Sequence, residues 1–147
     1  MPQSRVAWFK QILQKYPRVA IIGGPRAGKT TLSRWSDRKT IHSDDYAPHG
    51  WSEASALLAD SVNGAWETYK EPLVVEGVAA IRAIRKGMKV DAIVLLEGAI
   101  DELTPRQEGM RKGVMTVLED VRKQQPDLPV LYAPPIAKED DEEETEA

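Results

Sequence analysis

The sequence predicts a three-layer α/β domain with a five-stranded, mostly parallel sheet, and three observations predict it. Short apolar runs rich in β-branched residues recur at 19–22, 40–42, 73–75, 91–96 and 130–132. The stretches between them carry apolar residues at helical spacing, so strands and helices alternate. The runs are continuously apolar rather than alternating, as in strands covered on both faces and joined by right-handed crossovers.

Each element has its own signal. Val6, Phe9, Ile12, Leu13 and Tyr16 fall on one face of a helix over 3–15 that ends before Pro17, with Trp8 or Phe9 in the core. Residues 29–35 have the length and composition of a short helix after a glycine-rich turn. Ser52 and Glu53 open a long helix carrying Leu57, Leu58, Val62, Trp66 and Tyr69 on its packed face, and Pro72 stops it near Lys70. A helix over 79–86 closes at Gly87. Thr104, Pro105 and Gln107 form a compact helix start, and that helix runs to about Gln124 before Pro126.

The chain has 147 residues, enough for one domain with a real core. It has no cysteine, which excludes disulfides, thiolate metal sites and cysteine nucleophiles. Two histidines, His42 and His49, cannot alone build a zinc site, and His42 reads as a packed strand residue. No apolar stretch approaches the ~20 residues of a membrane span, so no membrane partner and a cytoplasmic address are expected. Seven of the 23 acids lie in residues 139–147, and the remaining chain carries 20 basic side chains against 16 acidic, a body of about +4. That charge suits a polyanionic substrate. The expected organisation is an N-terminal amphipathic helix over 1–17, one domain over 18–138 and an acidic, disordered tail over 139–147.

Between the first apolar run and the next helix, Gly23-x-x-x-x-Gly28-Lys29-Thr30 matches the phosphate-loop pattern in full. Glycines let successive backbone N–H groups converge on an anion, and the helix start adds its unsatisfied donors. Gly23, Gly24, Pro25, Arg26, Ala27, Gly28, Lys29, Thr30 and Thr31 are therefore the expected nucleotide cradle, for ATP or alternatively GTP. Lys29 would reach the β and γ phosphates and the Thr30 hydroxyl would ligate Mg²⁺. Arg26 is either a further phosphate contact or a solvated side chain.

Acid-bearing turns follow two later strands: Asp44-Asp45 and Glu76. The carboxyl edge of such a sheet is its ligand-binding edge, so these acids are expected near the loop. Asp44 is the expected base and Glu76 the expected carboxylate of the metal's water shell, with Glu97 the alternative. Like charges this close favour only one of Asp44 and Asp45 facing inward. Arg106, Arg111 and Lys112, with Gly109 and Gly113 interrupting the helix, are expected to form a short cationic lid. Arg82 and Trp51 are the expected acceptor contacts, one for a phosphate and one for stacking on a base.

Taken together, these residues resemble the small P-loop kinases, the group of nucleoside and nucleotide kinases, gluconate and shikimate kinases and related phage kinases. In the uridine-kinase-like members the second strand ends in Ser-x-Asp-x-aromatic, and here Asp44 and Tyr46 fall near those places in His42-Ser43-Asp44-Asp45-Tyr46. Leu73-Val74-Val75-Glu76-Gly77 is similar to the group's third strand. The resemblance implies a P-loop kinase fold, ATP and Mg²⁺, and transfer of a phosphoryl group to a hydroxyl of a small molecule, nucleoside or nucleotide. A hydroxyl on a DNA or RNA end or modified base is the alternative acceptor, and a P-loop ATPase or a binding module without catalysis are the rivals. The base-reading Asn-Lys-x-Asp and the Asp-x-x-Gly turn of a GTPase are absent, and Leu95-Leu96-Glu97-Gly98 only weakly imitates a motor-ATPase strand end. The oligomeric state is not legible.

Overall fold

The computed structural model describes residues 4–97 and 102–134, without the side chains of 47–49 and 51. The acidic tail therefore lies outside the described residues. Helix α1 (Arg5–Lys15) begins where Ser4 Oγ accepts the Ala7 N–H at 3.1 Å, and it docks through fully buried Phe9 and nearly buried Val6. Strand β1 (Arg18–Gly23) follows Pro17 and leads through the glycine-rich turn into the short helix α2 (Lys29–Ser33). Next come β2 (Lys39–His42), a 3-10 turn (Ser43–His49), α3 (Trp51–Tyr69) and β3 (Leu73–Glu76). The chain then continues through α4 (Ala80–Arg85), β4 (Ala92–Leu96), α5 (Pro105–Gln124) and β5 (Val130–Tyr132).

All five strands are parallel, in the order β2-β3-β1-β4-β5. Alternate residues of the central strands serve two cores. Ala20, Ile22, Val75, Ile93 and Leu95 pack with α3, α4 and α5 on one face, whereas Val19, Ile21, Val74, Val94 and Leu96 pack with Phe9 of α1 and Leu32 of α2 on the other. This division follows from handedness. The connection from β1 to β2 travels one way across the sheet and the later connections travel the other, so right-handed crossovers put α2 opposite α3, α4 and α5. The direction reverses between β1 and β3, and a cleft opens at the carboxyl ends there.

Two expectations are revised by packing. Tyr69, assigned to the packed face of α3, is 67% exposed, because α3 ends there and Lys70 turns away with φ 55°. Trp66 is half-buried, with the Arg18 guanidinium 4.5 Å and the Lys70 ammonium 5.6 Å from its ring centroid. As expected, α5 starts at a capping box between Thr104 and Gln107 and runs unbroken to Gln124, so Arg106, Arg111 and Lys112 stand on its first half. Its cooperative hydrogen bonding carries the helix through Gly109 and Gly113. Among the described residues no helix is long and apolar enough to cross a membrane.

Candidate active site

The turn after β1 is built for an anion. Arg26 and Gly28 have φ of 59° and 94°, which curls the backbone between β1 and α2 into a nest of N–H groups. Lys29, 8% exposed, donates from Nζ to the Gly24 carbonyl at 2.6 Å. Burial pulls its pKa below the usual lysine value, outweighing the opposing pull of Glu76 and Asp44. A buried ammonium whose partners are a carbonyl and distant carboxylates gains most from a ligand that brings negative charge.

A cleft of about 510 Å³ opens over this turn, with Lys29, Thr30, Asp44 and Glu76 in its lining. Pro25, Arg26, Gly28 and Thr31 line it too, so most of the expected nucleotide cradle faces one cavity. Gly23 and Ala27 are buried beneath the loop, and Gly24 lies under α5.

Glu76, the last residue of β3, is 2% exposed. Its Oε1 accepts the Thr30 hydroxyl at 3.4 Å and lies 2.5 Å from His42 Nδ1. Sheet register produces this pair, since His42 is aligned with Glu76 on the neighbouring strand and Glu76 with Ile21 beyond it. In-register residues of parallel strands project to the same side. His42 is therefore a partner of the site's most buried carboxylate and not merely a packed strand residue. Glu97, the alternative to Glu76, is exposed at the end of β4 and absent from the cleft lining.

Asp44 is positioned by its neighbour. Ser43 is fully buried, and its Oγ accepts the Ala79 N–H at 3.3 Å, tying the turn after β2 to the start of α4. Gly77 makes room for it: a Cβ there would lie 1.8 Å from Ser43 Oγ, and the residue's φ is 129°. With Ser43 fixed, Asp44 faces the cleft, while Asp45 is exposed and outside its lining.

On the α5 side, Gln107 and Met110 line the cleft with Val78 from the β3–α4 turn. None of the three was expected at the site: Gln107 was read only as part of the helix start, although it shares one helical face with Met110. Arg111 lies over Gly24, and its guanidinium donates to Glu108 Oε1 at 2.9 Å from Nε and 2.5 Å from Nη2. Arg106 is exposed and outside the lining. Arg82 is half-buried against α5, where a Cβ on Gly113 would come within 3.2 Å of its Nη2. Burial, and then the nearby Arg85, lowers its pKa, and it has no acidic partner among the described residues. The Trp51 side chain lies outside the described residues.

Among solved structures, a shikimate kinase from Acinetobacter baumannii in complex with shikimate superposes with a TM-score of 0.50 over 92% of this chain and 93% of that one, at 11% identity. The chain shares that kinase's fold, a five-stranded parallel sheet with helices on both faces. No protein-family model and no curated protein sequence matches the chain. At this identity the likeness is one of fold, so the chemistry has to be argued from the chain's own residues.

Among the described residues no group of three or more His, Asp or Glu side chains converges as a closed metal cage. The donors at the cleft include the Thr30 hydroxyl and the Glu76 and Asp44 carboxylates, all hard oxygens. Such a sparse oxygen set fits Mg²⁺, which keeps several waters and takes further ligands from substrate phosphates.

Proposed function

We propose that this chain is an ATP- and Mg²⁺-dependent phosphotransferase that moves the γ phosphate to a hydroxyl of a small molecule, nucleoside or nucleotide. One observation carries the reading: Lys29 of the phosphate loop and Asp44 of the β2 turn face the same cleft. Donor charge and a proton acceptor thus share one cavity. The backbone N–H groups around Gly28 and the Lys29 ammonium hold the phosphates, replacing the Gly24 carbonyl as the partner of Nζ. Thr30 and Glu76 hold the metal and its waters, with His42 orienting Glu76. When bound, Mg²⁺ supplies charge neutralisation at the phosphate oxygens.

Asp44 accepts the acceptor's hydroxyl proton as the new oxygen–phosphorus bond forms and the bond to the leaving ADP oxygen breaks. Arg111 swings from Glu108 to the transferring group, and Arg82 serves an anionic part of the acceptor. The shikimate kinase of similar fold is seen in complex with shikimate, which supports a small-molecule acceptor.

The test incubates the protein with Mg²⁺, ATP or GTP, and pooled nucleosides, nucleotides, sugars and hydroxyl-bearing DNA and RNA. Mass spectrometry then locates the phosphoryl group. A phosphorylated small molecule supports the proposal, phosphorylation confined to nucleic acid moves the acceptor class, and orthophosphate alone contradicts it.

A further inference from the structure

The phosphate loop rests on a side chain far outside its motif. Arg5, the first residue of α1, is only 7% exposed. Its Nη1 donates to the Ala27 carbonyl at 3.3 Å and its Nε to the Pro134 carbonyl at 3.0 Å, beyond the end of β5. One guanidinium thus joins the N-terminal helix, the underside of the phosphate loop and the chain after the last strand.

The Ala27 carbonyl is a consequential place to hold. The peptide between Ala27 and Gly28 is trans, so its C=O and the Gly28 N–H point in opposite directions. Anchoring the carbonyl to Arg5 behind the loop turns the Gly28 N–H forward, toward the cleft that Gly28 lines. The positive φ of Gly28, on one side of that peptide plane, leaves its orientation dependent on its partners. An unheld plane could turn and present a carbonyl to the phosphates, exchanging attraction for repulsion.

We infer that Arg5 is a positioning residue for nucleotide binding: by holding the Ala27 carbonyl it aims the Gly28 N–H at a phosphate oxygen. Its effect is on phosphate affinity, not on the proton transfer at Asp44. The inference rests on the loop's nucleotide-binding reading. Phe9 and Val6 bury their side chains in the core independently of Arg5, so α1 has an anchor when the guanidinium is removed.

The sequence supplies a clean probe, because Ala27-Gly28 is its sole Ala-Gly pair. Protein labelled with carbonyl-¹³C alanine and ¹⁵N glycine therefore reports one directly bonded carbonyl–amide pair, that of Gly28. On titration with MgADP, the wild-type Gly28 amide proton shifts downfield as it meets phosphate. In Arg5→Met the shift is lost and the MgADP Kd rises about tenfold, the scale of a lost charge-assisted contact. Arg5→Lys keeps the charge and, with one nitrogen for two carbonyls, gives an intermediate Kd and a partial shift.

A folded Arg5→Met with the wild-type shift and a Kd within about twofold overturns the inference. If Arg5→Met does not fold, Arg5→Lys decides it by the same two readouts, and wild-type behaviour overturns it. A wild-type protein that binds neither MgADP nor MgATP overturns the nucleotide-binding reading itself, and the inference with it. Loss of stability with an unaltered Gly28 response marks Arg5 as structural only and also contradicts the proposal.

Discussion

The side chain of Arg111 lies directly on the backbone of Gly24: a methyl group at residue 24 would come within 2.7 Å of Arg111 Cγ. The first half of α5 is thereby seated on the phosphate loop, and the Arg111 guanidinium is held beside it by Glu108. Arg111 is not among the residues that line the cleft, so its proposed service to the phosphates requires the guanidinium to leave Glu108 and rotate toward it. Arg111→Ala is expected to lower turnover about a hundredfold, the scale of one lost charge-stabilising donor. Its thermal stability should stay close to that of the wild type, because its ion pair with Glu108 is a solvent-exposed one within a single helix. Steady-state kinetics beside calorimetry checks this, and an unchanged turnover would remove Arg111 from the chemistry.

Asp44→Asn tests the proton acceptor. The amide keeps the shape of the side chain but cannot take the hydroxyl proton, so transfer should fall by at least about a hundredfold while MgATP binding persists. Isothermal titration and single-turnover assays separate the two effects. Loss of nucleotide binding together with transfer would place Asp44 on the donor side instead.

Gly77→Ala should be among the most damaging single-atom additions. The new Cβ would fall 1.8 Å from Ser43 Oγ at a φ of 129°, so the chain must move where Ser43 holds the Asp44 turn. The expected loss is about 3 kcal/mol or more, combining overpacking with backbone strain. Gly87→Ala is the control, with φ of 110° but nothing within 4 Å, and should cost only about 1 kcal/mol. Urea midpoints for the two variants decide whether crowding at Ser43 matters beyond backbone conformation.

Arg18 and Asp91 predict an acid-sensitive contribution to stability. Burial on its own would raise the Asp91 pKa, but the hydrogen bonds and charge of Arg18 overcome it and leave the carboxyl below its usual value. A depressed folded-state pKa stabilises the fold above the unfolded value of about 3.9, and that contribution is lost as pH falls through the folded value. Asp91→Asn should lower stability by about 1 kcal/mol at neutral pH, the scale of a well-formed bidentate pair, and flatten its fall below about pH 4. Denaturation midpoints measured across that range check both parts.

The elements were legible because their signals are local. Apolar runs marked the strands, and Thr104-Pro105 and Gly87 marked helix ends that need only their own neighbours. Strand order was not legible, since it depends on which crossovers travel each way over β1. The same distance in sequence hid the partner of His42: nothing within residues 40–42 says that Glu76 will stand beside it in register. Ser43 and Gly77 form another such pair, whose fit appears only when the ends of β2 and β3 meet. The helix from Thr104 to about Gln124 was legible despite Gly109 and Gly113, because its capping box and the buried face of Val114, Val117, Leu118 and Val121 are both local patterns.

The fate of the γ phosphate in ¹⁸O-labelled water tests the central claim most directly. If Asp44 and the phosphate loop serve transfer to an organic hydroxyl, the wild-type protein with Mg²⁺, ATP and the pooled acceptors yields a phosphomonoester whose bridging oxygen carries no label, and Asp44→Asn yields almost none. Labelled orthophosphate as the sole product, equally from wild type and Asp44→Asn, would make the chain an ATPase and contradict the account.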